Sequence, residues 1–278
     1  PRAERFLYPD AITIMYSGEN TMPDLNFCDY GIGFDHLRLG DRYLRVPLYA
    51  LYASYNDLLE PRQTVTIDDL KARQEFCNFT FSKPKAMPER DAFFHKISGR
   101  KQVTSTGSHL RNSDALDEIQ NDQGLTGASA KIELLRSFKF NIAFENSNHP
   151  GYTTEKLMQP LVAGCLPIYY GNPLVAEDFT TAAFINAQAY HDMDAVVDEI
   201  MRLDSDDEAL LRMLNTDPVL PSQRGDNAYL RQLETFLCTI IDQPKESARR
   251  RALHGRIGAE YNALSKISHQ SRLKWWQR

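Results

Sequence analysis

The stretch KFNIAFENSNHPGYTTEKLMQPLVAGCLPIYYG (139–171) decides the fold. FNIAF (140–144) is an apolar run of strand length, and a loop built on Pro150 and Gly151 follows it. TTEKLMQPLVAG (153–164) has helical spacing, and CLPIYYG (165–171) is a second apolar strand. Strand, glycine-containing loop, helix and strand make a βαβ unit, which implies a parallel sheet covered by helices. Pro160 predicts a kink in that helix. In an open parallel sheet, ligands sit beyond the carboxyl ends of the strands, where helix N-termini offer free N–H groups. The loop from Asn146 to Thr154 occupies that position, with Glu155 and Lys156 in the first helical turn. Thr153 or Thr154 suits the cap, and Tyr152 suits stacking on or hydrogen bonding to a ligand. A lysine in a first turn runs against the helix dipole, and an anionic ligand would reverse that preference. Taken alone, TTEK is also compatible with an ordinary capped helix whose lysine is solvated.

Outward from this unit the elements are shorter. AITIMY (11–16) reads as a strand ending in the turn SGEN (17–20), which puts Glu19 just past a strand end. A second short strand is expected at Tyr30–Phe34, another at FCNFTFS (76–82), and a helix at PERDAFFHKIS (88–98) with Pro88 in its first turn. SAKIELLRSF (129–138) reads as a helix leading into the decisive strand. Further helices are expected in HDMDAVVDEIMRL, SDDEALLRMLN and NAYLRQLETFLCTIID.

With 278 residues, 42% of them hydrophobic, the chain is long enough to bury a real core in one large domain or two modest ones. No apolar run approaches the roughly 18–20 residues that span a bilayer, and PRAERFLYPD lacks the apolar core of a signal peptide. The four cysteines lie far apart without metal-ligand spacing, so reduced thiols and no structural metal are expected. DSDDE (204–208) reads as an acidic helix start rather than a cation site. One glycosylation sequon, Asn78-Phe79-Thr80, falls inside an expected strand. The net charge of −5 divides into +7 for residues 243–278 and −12 for the rest. An acidic body argues against nucleic acid as a partner.

The string around GYTTEK, in its order of strand, turn and strand, resembles the donor-binding motif of the bacterial α1,3-fucosyltransferase family. There a strand ending FEN, a GY(V/I)TEK turn and a PIYWG-like strand bind GDP-fucose. MYSGEN, YGIGFD, DRYLRVPLY and SKPKAMPERDAFF resemble the family's upstream segments, so the likeness runs over roughly residues 5–240. Thr153 stands at a variable position and Tyr170 where tryptophan is common.

The resemblance implies an α/β fold of GT-B type, with two facing Rossmann-like domains and the active site in the cleft between them. It implies inverting transfer of L-fucose from GDP-fucose to a GlcNAc hydroxyl of a β-galactosyl-GlcNAc (Lewis-type) acceptor. By matching position, Arg90 and Lys156 would neutralise the pyrophosphate, and Asn146 and Tyr152 would line the nucleotide pocket. Glu155 would hydrogen-bond donor hydroxyls or face the oxocarbenium-like centre. Glu19 would be the general base. One base opposite the leaving group is what a single displacement needs. No metal is required if two cations neutralise the leaving group. The family's VDSGG-like stretch appears as VTSTGSHLRN, with Thr106 replacing a glycine and the roles of Ser105, Gly107 and Asn112 left open.

The expected domains are an N-terminal acceptor-binding part over 1–75, a donor-binding domain over 76–242 and a basic tail over 243–278. Only about fifteen residues precede the GEN turn, so the N-terminal domain is expected to be incomplete in this chain. Leu253, Ile257, Tyr261, Leu264 and Ile267 recur at helical spacing beside Arg249–Arg251 and before Trp275-Trp276. Residues 249–278 would suit an anionic membrane surface, and equally a helix packed on the acidic body. The expected location is the cytoplasm, either free or peripheral at the inner face of a bacterial membrane. Competing readings are a related glycosyltransferase with another acceptor, a non-catalytic nucleotide-sugar-binding homologue, and a membrane adaptor.

Overall fold

The computed structural model describes residues 11–84 and 87–250. Two compact units are formed. The smaller comprises residues 11–33, 37–45 and 233–250, and the larger 34–36 and 46–232.

In the smaller unit, β1 (Ile14–Tyr16), β2 (Tyr30–Gly33) and β3 (Tyr43–Arg45) form a parallel sheet in sequential order. The first apolar run pairs only over its last three residues. Its anchor is Asp29, whose Oδ2 accepts from the Thr13 amide at 2.8 Å and the Thr13 hydroxyl at 2.9 Å. Gly31 must be glycine, because a Cβ there would overlap the Pro23 ring.

The larger unit opens with α1 (Ala53–Leu59) and α2 (Ile67–Ala72), followed by β4 (Glu75–Phe79), α3 (Pro88–Ser98), β5 (Val103–Ser105), α4 (Ala115–Gln123) and α5 (Gly127–Leu135). The βαβ unit read from the sequence is β6 (Phe138–Phe144), α6 (Glu155–Ala163) and β7 (Leu166–Tyr170). β8 (Ile185–Asn186), α7 (Met193–Asp204) and α8 (Asp207–Leu214) complete it. All five strands are parallel in the order β5-β4-β6-β7-β8. The chain goes from β4 to one side and then returns to the other, so the strand order reverses between β4 and β6. That is the topological switch point where open α/β sheets bind ligands.

Both sheet faces are covered, as a parallel sheet requires. Phe140, Ile142 and Phe144 face a core shared with Phe93, Ile168, Val196 and Ile200, whereas Ala143 faces Leu157, Met158, Leu161 and Tyr169. Burying each large side chain contributes roughly 1.5–3 kcal/mol. The helix expected over 129–138 ends at Leu135, because Phe138 already pairs with Glu75 as the first residue of β6. α6 runs through Pro160 and closes on Gly164 at φ 70°, where the Cys165 amide donates to the Pro160 carbonyl at 2.8 Å. The sequon asparagine, Asn78, is fully buried and donates to the Asn141 side chain at 2.7 Å.

α9 (Ala228–Ile241) and α10 (Lys245–Ala248) follow. Within the smaller unit, Phe236 meets Tyr30 edge to face, and Arg250 donates its amide to Asp29 at 2.9 Å and pairs with Asp41 at 2.5 Å. The rest of the basic tail, from residue 251 onward, lies outside the described residues. Among the described residues no helix is long and apolar enough to cross a membrane.

Candidate active site

The site is built at the carboxyl end of β6 and the amino end of α6. Immediately after β6 stands Glu145, fully buried. Its carboxylate accepts from the Thr154 amide and the Thr154 hydroxyl, each at 2.7 Å. Thr154 also caps α6 by accepting from the Lys156 amide at 3.4 Å. The Lys156 ammonium, only 12% exposed, lies 3.5 Å from Glu145, 3.3 Å from Glu155 and 3.1 Å from the Thr154 hydroxyl. Glu155 in turn accepts from the Tyr52 hydroxyl at 3.1 Å.

The titration behaviour follows from this packing. Burial pushes the Glu145 carboxyl above its ordinary value, although the Lys156 charge and the Thr154 donors pull the other way. Burial also pushes Glu155 up, but Lys156 and Lys131 outweigh it and hold the carboxyl below the usual range. Lys156 is pushed down by burial and pulled further up by Glu145 and Glu155, so it remains charged. Lys131, half-buried on α5, is pushed down by burial to about 8, with Glu155 and Glu145 opposing and Lys156 assisting.

The loop leading into α6 is pinned from β7. Asn172, fully buried, accepts from the Gly151 amide at 2.7 Å and donates to the Thr153 hydroxyl at 3.1 Å. Thr153 shares a 3.2 Å hydrogen bond with the Tyr169 hydroxyl, which also accepts from the Asn172 amide at 3.0 Å. Gly151 has φ +82°, and a Cβ there would collide with the Phe34 carbonyl oxygen. Tyr152 is buried against Phe34 and Leu48, its ring 5.2 Å from that of Phe34. His149 lies 2.8 Å from Asp35, and His36 lies 3.0 Å from Glu177.

Across the switch point, Arg90 sits in the first turn of α3 and is 1% exposed. Its Nε donates to Asp91 at 3.0 Å, and its Nη2 donates to the Lys83 carbonyl at 2.8 Å. The guanidinium lies 4.6 Å from the centre of the Phe81 ring, while Nη1 is buried without a partner among the described residues. A buried cationic donor left open is costly unless something accepts from it. α3 is held to the end of β6 by Phe93, stacked on Phe144 at 5.0 Å.

The VTSTG loop next to it is internally satisfied. Thr106, where the family motif has glycine, shares a 2.6 Å hydrogen bond with Thr80 and belongs to a buried network with Asn78. Asn112 accepts from the Ser105 amide and donates to the Val103 carbonyl, and Ser105 donates to the His109 carbonyl. Gly107 packs so closely on the Phe81 backbone that no Cβ fits. These residues shape the loop.

Of the residues singled out in the sequence, Glu155, Lys156 and Tyr152 fall at one strand-to-helix junction. Asn146, half-buried, directly follows Glu145. Arg90 stands at the neighbouring strand's helix. Glu19 belongs to the smaller unit, exposed in its turn, with its amide donating to the Ser17 hydroxyl oxygen at 3.2 Å. Sequence reasoning passed over three residues. Glu145 was legible as an acid at a strand's carboxyl end, and Asn172 as an amide right after the next strand. Lys131 gave no signal, being one lysine in an amphipathic helix. Among the described residues no cluster of three metal-ligating side chains occurs.

The profile for the C-terminal part of glycosyltransferase family 10 (fucosyltransferase) matches residues 70–257, which contain Arg90, Glu145, Asn146, Tyr152, Glu155 and Lys156. The chain belongs to that family. Residues 3–52 match the α-(1,3)-fucosyltransferase FucT N-terminal domain. Among curated relatives, α-(1,3)-fucosyltransferase FucT of Helicobacter pylori is 32% identical over 270 residues, covering 84% of this chain and 54% of the relative. The chain thus spans about half the length of that protein. GDP-fucose protein O-fucosyltransferase 3 of Mus musculus is 28% identical over 180 residues, covering 63% of this chain and 37% of the relative. A crystal structure of an α1,3-fucosyltransferase with GDP-fucose superimposes with a TM-score of 0.68 at 28% identity, covering 85% of this chain and 76% of the other.

Proposed function

We propose that this chain catalyses inverting transfer of L-fucose from GDP-fucose to a GlcNAc hydroxyl of a β-galactosyl-GlcNAc acceptor. The observation that carries the reading is the set of buried cations at one switch point: Lys156 on the capped start of α6, and Arg90 with an open guanidinium nitrogen. Family membership and the neighbour solved with GDP-fucose support it. In this reading the acceptor oxygen attacks fucose C1 from the face opposite GDP, and its proton passes to the Glu19 carboxylate. As the bond from C1 to the β-phosphate oxygen breaks, its electron pair leaves with GDP. The negative charge builds where Lys156 and Arg90 offer charged donors already in place, which is where electrostatic stabilisation acts most strongly. Glu155, held ionised, serves the donor sugar, and Asn146 and Tyr152 belong to the nucleotide side.

The test is a calorimetric titration with GDP-fucose, with UDP-galactose as control, followed by mass spectrometry of N-acetyllactosamine incubated with donor and protein. Selective binding of GDP-fucose and addition of one deoxyhexose are expected. A folded protein that binds neither nucleotide sugar would overturn the reading.

A further inference from the structure

The nitrogens of the Arg90 guanidinium have different fates. Nε donates to Asp91 at 3.0 Å, Nη2 donates to the Lys83 carbonyl at 2.8 Å, and Nη1 is buried with no acceptor among the described residues. A guanidinium is planar and rigid, so whatever holds the first two nitrogens sets the direction of the third. Asp91 is an unexpected holder. Adjacent residues on a helix point roughly 100° apart, so helix geometry alone does not bring these two side chains together. Something must turn the Asp91 carboxylate toward its neighbour.

His109, in the loop after β5, does so. Its Nε2 lies 2.8 Å from the second Asp91 oxygen, and its side chain is 14% exposed. Burial pushes the Asp91 carboxyl up, but the His109 and Arg90 hydrogen bonds outweigh it and hold the group below its usual range. An ionised carboxylate only accepts, so His109 Nε2 carries the proton in this contact. The backbone of His109 is fixed as well, its amide donating to the Phe81 carbonyl at 2.9 Å and its carbonyl accepting from the Ser105 hydroxyl at 3.0 Å. The next residue, Leu110, has φ 56°, and among the described residues no other non-glycine residue has a positive φ. A leucine held in that conformation is strained, and strain of this kind persists where the surrounding structure enforces a particular geometry. A simple loop-to-helix staple requires neither the strained turn nor a buried donor left open at the far end of the chain of contacts.

We propose that His109 is a positioning residue of the donor site, which through Asp91 locks the Arg90 guanidinium with Nη1 presented to the diphosphate of the nucleotide. This deepens the donor-site reading above and rests on it. No proton changes place along the contacts from His109 to Asp91 to Arg90. They supply orientation, so that the charged donor is already aimed when the anion arrives. The role therefore acts only through Arg90, whereas plain packing of the loop would matter equally with or without that guanidinium.

The experiment titrates GDP, up to millimolar concentration, into the full chain by calorimetry, with thermal melts to show that each variant is folded. The variants are His109→Leu, His109→Gln, Arg90→Met and the double variant His109→Leu with Arg90→Met. His109→Leu should raise the dissociation constant roughly three- to thirtyfold, the range of coupling between residues in one hydrogen-bonded network. His109→Gln, whose amide nitrogen can take the place of Nε2, should recover most of the loss. In the Arg90→Met background, His109→Leu should change the constant by no more than about twofold, because the contact it breaks no longer leads to a donor. If His109→Leu does not fold, Asp91→Asn takes its place, keeping the shape of the carboxylate without its charge, and should show the same loss and the same dependence on Arg90. Unchanged affinity in His109→Leu, a His109→Gln variant as weak as His109→Leu, or equal losses with and without Arg90 would overturn the role of His109 and leave the donor site standing. Failure of the folded wild type to bind GDP overturns the donor site and this role with it.

Discussion

Glu145 shows how one side chain holds the site. It is a buried acid whose two oxygens satisfy a backbone amide and a hydroxyl of the same capping residue, with Lys156 supplying the charge. Replacement by alanine would strand the Thr154 donors and the Lys156 ammonium together, a loss of roughly 2–4 kcal/mol in a urea melt. Glutamine keeps an acceptor for the Thr154 amide, so Glu145→Gln should cost clearly less than Glu145→Ala. The pH dependence has a definite sign. Because the folded carboxyl titrates above its ordinary value, the native state binds the proton more tightly, and this group's contribution to stability falls as pH rises through that window. The stability of the wild type relative to Glu145→Gln should therefore increase as pH is lowered from neutrality. A difference that shrinks instead would mean that Lys156 dominates and that the carboxyl titrates low. Residues of this kind were half legible. Lys156 stood out because it opposes the helix dipole, whereas Glu145 attracts no notice until its partners are seen.

Gly151 and Gly124 contrast two elements that demand the same backbone. Both have positive φ, +82° and +65°, but only Gly151 is hemmed in, by the Phe34 carbonyl and the His36 ring. Gly124 ends α4 in open space. Gly124→Ala should lose about 1 kcal/mol, the cost of a left-handed conformation with a Cβ. Gly151→Ala adds a backbone collision and should lose about 2 kcal/mol or more. It should also weaken GDP binding, since Asn172 grips this residue's amide to set the start of α6. Equal losses in thermal melts would show that the loop yields at no cost. At this scale much of the fold could be read in advance. α3 falls on the residues expected, and the βαβ unit falls within two residues of its expected bounds, because apolar runs of strand and helix length are bounded there by proline, glycine and a capping threonine. β3, β5 and β8 are two or three residues long, and pairing alone defines them. Nothing in VTS distinguishes a strand from a loop until Asn78 and Phe79 lie beside it.

At the scale of the whole molecule, the candidate base and the candidate cations are carried by different units. Glu19 stands in the unit built on β1–β3, whereas Arg90, Glu155 and Lys156 stand in the unit built on β4–β8. The proposed chemistry assigns them to different steps, so their substitutions should separate in kind as well as size. Lys156→Ala removes a charged donor from the diphosphate and leaves Glu145 buried without its closest cation. GDP affinity should drop by about 10- to 100-fold, the range of a charge-assisted hydrogen bond. Glu19→Ala removes the proposed acceptor of the substrate proton. GDP-fucose should bind as before, while kcat falls by about 10²- to 10⁴-fold, the usual contribution of general base catalysis. The two variants need to be compared by calorimetry with GDP-fucose and by single-turnover transfer to N-acetyllactosamine. Equal loss of donor binding in both would mean that Glu19 supports the donor site and that the proton leaves by another route. Unimpaired transfer by Glu19→Ala would remove this residue from the chemistry and leave the larger unit's cation set as the part of the proposal still standing.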